Sequence, residues 1–223
     1  MAYSVTVGDV VKWDKLKKTV ATGDILLCQT YGLLGMIEQL PTGAPYTHVA
    51  MFIRCSNGKL YLLESAIDKD YPDVITGKTD GPKLVDADLY MKLYLSKRSG
   101  VLTYRPLRTR KTNLPIYFSN TEKKKLIEAL ALMMCKKVKY ERRFEDLPNA
   151  YLRMYNLTIS DPTYMFCSEF IATMYVIFKI EMSRPSDKMI PKDFSQAYED
   201  IFNRSLNRGD NAVYLGKELT IVL

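Results

Sequence analysis

The chain has 223 residues, 47% of them hydrophobic and 26% charged, with a formal net charge of +7. These are ordinary globular values, so general disorder is excluded and one domain spanning 1–223 is expected. No apolar run approaches the roughly 20 residues of a bilayer span, and Met1 to Thr6 has neither a basic flank nor an apolar h-region, so no secretory signal is read and a cytoplasmic location is expected.

In chain order, residues 9–18 bring Val10, Val11 and Trp13 near Leu16 and predict a short leading helix. Thr22-Gly23-Asp24 is a turn before a short buried strand over 25–28. Residues 29–40 carry Leu33, Leu34 and Ile37 at helical spacing, and Pro41 to Pro45 ends that helix. Residues 48–54 form a β-rich strand, Ser56-Asn57-Gly58 a hairpin turn, and residues 60–66 the returning strand. Residues 68–83, with Pro72, Gly77, Gly81 and Pro82, read as a loop. A helix over 86–95 and a strand over 101–107 follow.

Ser119-Asn120-Thr121-Glu122 is a capping-box signature. It opens an amphipathic helix with Leu126, Ile127, Leu130, Met133 and Met134 on one face. Residues 144–154 are helical around Pro148, Ser160 to Thr163 make a turn, and residues 165–180 form an apolar helix. Pro185 and Pro191 break the next segment, and 212–223 is strand-like. The order gives an α+β fold.

Charge is uneven. Residues 97–143 hold fourteen Lys and Arg against Glu122, Glu128 and Glu141, which is 14 − 3 = +11. Such a zone suits an anionic membrane or an acidic protein, or is simply a solvated helix face with loops. The absence of an aromatic-interleaved motif argues against nucleic acid.

Cys28, Cys55, Cys135 and Cys167 have no paired spacing, and His48 is the single histidine. No metal site and no cofactor is expected. Cys167 opens the last apolar helix, where the helix dipole favours thiolate and backbone N–H groups face an oxyanion. Cys28, Cys55 and Cys135 read instead as small packed residues. A thiol nucleophile needs a base, and only His48 is available. Glu64 would orient that base, but a two-residue turn at Asn57-Gly58 makes opposed residues sum to 115 and puts His48 and Glu64 on different faces. A longer loop or a one-residue bulge would bring them to one face.

Four segments carry a resemblance. They are Gly23-Asp24-Ile25-Leu26-Leu27, Tyr46-Thr47-His48-Val49-Ala50-Met51-Phe52, Leu63-Glu64-Ser65-Ala66 and Phe166-Cys167-Ser168-Glu169-Phe170-Ile171-Ala172, with Pro191-Lys192-Asp193-Phe194 behind them. Together, over about 22–195, they resemble the circularly permuted papain-like cysteine hydrolases of the NlpC/P60 superfamily, the YiiX-like proteins and their poxviral relatives. The resemblance implies a small antiparallel sheet or half-barrel packed against the cysteine helix, with an N-terminal helix and a C-terminal extension outside that core. It implies Cys167 as nucleophile, His48 as base and Glu64 as the orienting third residue of a thiol amidase or peptidase working through a thioester. A lipid acyl hydrolase or acyltransferase at anionic membranes, and an inactive interaction module with a basic surface, stand as alternatives. The poxviral likeness, with the abundance of Lys, Tyr and Met, suits a large-DNA-virus source and leaves virion association open.

Overall fold

The computed structural model describes residues 9–30, 45–97, 100–140, 164–197, 201–202 and 212–223. The strands of its main sheet are β1 (Asp9–Lys12), β2 (Ile25–Thr30), β3 (His48–Arg54), β4 (Leu60–Ile67), β5 (Asp80–Asp86), β6 (Gly100–Arg105) and β11 (Leu219–Val222). They lie in the order β1-β11-β6-β2-β3-β4-β5. Every neighbouring pair is antiparallel except β1 with β11. Two small ladders join β7 (Leu107–Thr109) to β10 (Val213–Leu215) and β8 (Lys139–Tyr140) to β9 (Tyr164–Met165). The helices are α1 (Trp13–Leu16), α2 (Ala87–Ser96), α3 (Asn120–Cys135) and α4 (Cys167–Ile177), so the class is α+β.

The central strands are apolar on both faces because both faces are covered. Ile25, Leu27, Val49, Met51 and Leu63 pack with Phe170, Ile171, Met174 and Tyr175 of α4. Leu26, Ala50, Phe52, Leu62 and Val85 pack with Trp13 and Leu16 of α1 and Tyr90, Met91 and Tyr94 of α2. A helix wedged into a core is apolar around most of its circumference, and α4 is buried continuously from Cys167 to Ala172. The Ser119–Glu122 capping box forms, and Leu126, Leu130 and Met134 are the buried face of α3.

Several expectations change. Residues 9–12 of the predicted leading helix are a strand, since Val10 and Val11 pair with Thr220 and Ile221 at the far end of the chain. Gln29 and Thr30 extend β2 rather than starting a helix; residues 31–40, the predicted 144–154 helix and the 160–163 turn lie outside the described residues. Residues 80–83 of the predicted loop begin β5. The last apolar helix starts at Cys167 and stops at Ile177, with Met165 already in β9. The sheet has seven strands with one parallel pair, larger than the small antiparallel sheet expected.

Gly23 and Asp24 are structural. Gly23 takes φ +90°, which suits glycine. Its carbonyl accepts from the buried Tyr175 hydroxyl at 2.7 Å. The Asp24 carboxylate, fully buried, accepts from Ala21 N–H at 2.7 Å, Leu107 N–H at 2.8 Å, the Tyr104 hydroxyl and Arg108 at 3.2 Å. Replacing Asp24 by Ala strands these donors in the interior. Urea unfolding should show a loss of about 3 kcal/mol, the range for breaking a buried polar network; an unchanged midpoint would contradict this role.

Candidate active site

The site begins with the connection between β3 and β4. It is five residues long, 55–59, and Ser56-Asn57-Gly58 form its tip. Cys55 N–H donates to the Lys59 carbonyl and Gly58 N–H to the Cys55 carbonyl, both at 2.9 Å. Gly58 takes φ +82°, the left-handed residue of a three-residue hairpin with a bulge. The register is therefore Arg54↔Leu60 through Met51↔Leu63, and opposed residues sum to 114, not 115. His48 and Glu64 then share parity and face, because 48 + 64 = 112 differs from 114 by two.

The β3–β4 ladder ends at Met51↔Leu63. Beyond it β4 continues against β5, with Glu64 opposite Lys83, while His48 stays opposite Cys28 of β2. His48 and Glu64 reach across this splayed end, Nε2 to Oε2 at 2.9 Å. The His48 side chain is 15% exposed and Glu64 1%. The other carboxylate oxygen, Oε1, lies 3.3 Å from Lys83 Nζ, and Lys83 is wholly buried. Its ammonium also donates to the Asp68 carbonyl at 3.4 Å.

Cys167 is the first residue of α4 and is 2% exposed. Phe166, the N-cap, makes no side-chain cap hydrogen bond, and Cys167 lies at the positive end of the helix dipole. Two hydroxyls hold this turn in place. Ser65 Oγ donates to the Met165 carbonyl at 3.0 Å, tying the approach to β4 one residue past Glu64. Ser168 Oγ donates to the Met189 carbonyl at 2.7 Å.

These anchors bring the sulfur to the ring. Burial of His48 opposes its charge, but the neighbouring Cys167 sulfur and the hydrogen bond to Glu64 outweigh burial. The imidazole is held well above its ordinary range. With Nε2 on Glu64, Nδ1 is the ring nitrogen left for the sulfur. Burial pushes the Glu64 carboxyl up, but the hydrogen bond and charge of His48 and the charge of Lys83 prevail and hold it below the usual carboxylate range. The three predicted residues, Cys167, His48 and Glu64, are thus neighbours.

Of the other thiols, only that of Cys28 stands beside the site. Cys28, opposite His48, contacts the Tyr90 hydroxyl at 3.5 Å, and burial pushes its thiol up to about 11. Cys135 is exposed and Cys55 half-buried, so neither is the packed residue expected from its apolar neighbourhood. Lys83 was hidden in the sequence because Gly81-Pro82 reads as loop punctuation. Proline is tolerated in an edge strand, and β5 ends the sheet order. The apolar pair Leu84-Val85 beside Lys83 was the available signal.

The basic segment is not a single surface. Arg105 is buried and donates to the carbonyls of Gly216, Phe194 and Leu215, each at 2.8 Å. Arg108 pairs with Asp24, and Lys97 with Asp70. Among the described residues no group of three His, Cys, Asp or Glu is placed to share a metal ion, and no helix is long and apolar enough to cross a membrane.

No family model and no curated protein matches the chain. Among solved structures the chain is similar to the metalloprotein yiiX from Escherichia coli O157:H7, with a TM-score of 0.42 and 17% identity, over 70% of this chain and 65% of that one.

The single histidine makes the site measurable. In an NMR titration the His48 imidazolium should persist well above the ordinary histidine value of about 6.5. Cys167→Ala removes the charge that favours the proton, so the midpoint should fall in that variant; an equal midpoint would separate the two side chains.

Proposed function

We propose that the chain is a thiol hydrolase of the permuted papain-like kind, acting on amide bonds. The carrying observation is the interaction of the Cys167 sulfur with the only imidazole in the chain, together with the hydrogen bond from that ring to buried Glu64. The order of histidine before cysteine, and the Thr47-His48-Val49-Ala50 and Phe166-Cys167-Ser168-Glu169 segments, support the same reading.

The chemistry follows from the placement. The elevated proton affinity of His48 favours an imidazolium beside a Cys167 thiolate, the reactive form of the nucleophile. The thiolate attacks a substrate carbonyl and forms a carbon–sulfur bond. Backbone N–H groups in the first turn of α4 stabilise the oxyanion. As the carbon–nitrogen bond breaks, His48 gives its proton to the leaving amine. Neutral His48 then takes a proton from water, the hydroxide attacks the thioester, and a carboxylic acid leaves as the thiolate–imidazolium pair is restored. Glu64 fixes ring orientation and tautomer through Nε2 and supports its positive charge.

Trapping the thioester tests this reading. The full chain is mixed with small activated amides and, in a parallel arm, activated acyl esters, quenched in acid and measured by intact mass. An acyl adduct on Cys167 is expected, lost in Cys167→Ala and His48→Ala. Glu64→Gln should retain the adduct but slow its formation by about 10- to 100-fold, in keeping with the loss of an orienting hydrogen bond to a general base. An adduct formed equally in Cys167→Ala would sink the assignment, and a preference for the acyl esters would move the substrate class toward lipid acyl groups.

A further inference from the structure

Glu64 has two cationic neighbours, and the catalytic reading uses only one. Lys83 Nζ lies 3.3 Å from Oε1, the oxygen His48 does not touch, and the lysine is wholly buried. Taking an ammonium out of water is costly unless an anion compensates. A Met or Leu would fill the same space in β5 without that cost. Lys83 stands directly opposite Glu64 in the ladder, which makes the pair a product of strand register rather than of a long side chain reaching for a partner.

The charges balance only with Lys83 included. On the thiol reading, the resting site carries thiolate and carboxylate against imidazolium and ammonium. Without the ammonium, the buried group has one excess negative charge and takes up an additional proton more readily, which costs either the thiolate or the Glu64 carboxylate. We propose that Lys83 is a positioning residue, whose buried ammonium holds Glu64 as the carboxylate that orients His48 against Cys167. The proposal rests on the function assigned above.

The other groups facing this pair are Cys28 from β2, Tyr90 from α2, Tyr71 from the connection before β5, and the Asp68 carbonyl. Burial raises the proton affinity of Cys28, Tyr71 and Tyr90, so each stays neutral at working pH. Lys139 of β8, which packs beside β5, is exposed.

The test reads the thiolate directly and needs no substrate. Full-length wild type, Lys83→Met and Lys83→Arg are alkylated with iodoacetamide across pH, and modification of Cys167 is followed by peptide mass spectrometry. Removing a nearby positive charge raises the proton affinity of each remaining group, so Lys83→Met should move the acid limb of Cys167 alkylation up by about one pH unit. The NMR midpoint of His48 should rise with it. Lys83→Arg keeps the charge and should follow wild type. A folded Lys83→Met protein with an unmoved acid limb overturns the proposal, because a space-filling lysine would leave that limb alone. If Lys83→Met does not fold, the Glu64→Gln/Lys83→Met pair, which removes both charges, should recover the fold; failure to recover it also overturns the proposal. Failure of the function itself looks different: His48→Ala would then leave the rate and pH dependence of Cys167 alkylation unchanged.

Discussion

An odd number of residues between two strands decides whether this site exists. Side chains alternate faces along a strand, so one residue more or less in a hairpin connection exchanges the faces of everything beyond it. The five residues from Cys55 to Lys59, with Gly58 in the left-handed conformation, put Glu64 on the face of His48. An even connection at Asn57-Gly58 would turn Glu64 toward Leu63's present surroundings beneath α4 and leave His48 without a carboxylate. The end of the ladder matters as much as its register. Because β3 and β4 part after Met51 and Leu63, Glu64 can pair with Lys83 on one side and with His48 on the other.

The arrangement concentrates charge where a protein seldom keeps it. Buried ion pairs are weak contributors to stability, because desolvation of both partners cancels much of their attraction. A set such as His48, Glu64 and Lys83, buried at the end of strands that are otherwise mostly apolar, therefore adds little to the stability of the fold. In low dielectric each charge acts strongly on the next. The hydroxyls of Ser65 and Ser168 tie down the cysteine-bearing turn of α4.

Other residues that carry the family resemblance serve the frame. Asp24 accepts from Ala21 in its own turn and from Tyr104, Leu107 and Arg108 across the fold, and Gly23 receives the Tyr175 hydroxyl. Asp193, in the short 3-10 helix Pro191–Phe194, pairs with Arg184 and accepts from Ile190 N–H at 2.8 Å, while Phe194 is buried on the α4 side of the sheet. Arg105 binds three carbonyls and fastens the end of the chain to the sheet. A count of basic residues between 97 and 143 thus mixes internal struts with surface charge.

Local patterns were legible in the sequence. The apolar run of β2 and the β-rich run of β3, the Asn-Gly turn, the Ser119–Glu122 box and the apolar helix opening near Cys167 depend on neighbours a few residues apart. A chain with one histidine also offered a single imidazole as a candidate base. Long-range pairing was not legible. The match of β1 with β11, the continuation of β5 through Pro82, and the burial of Lys83 each depend on a partner distant in sequence or on position at a sheet edge. Hairpin parity belonged to the same class, since Asn57-Gly58 permits both even and odd connections. Sequence alone determined which side chains could do chemistry; tertiary structure decided which of them meet, because register and strand splay are set by the packing of the whole sheet and not by any one segment.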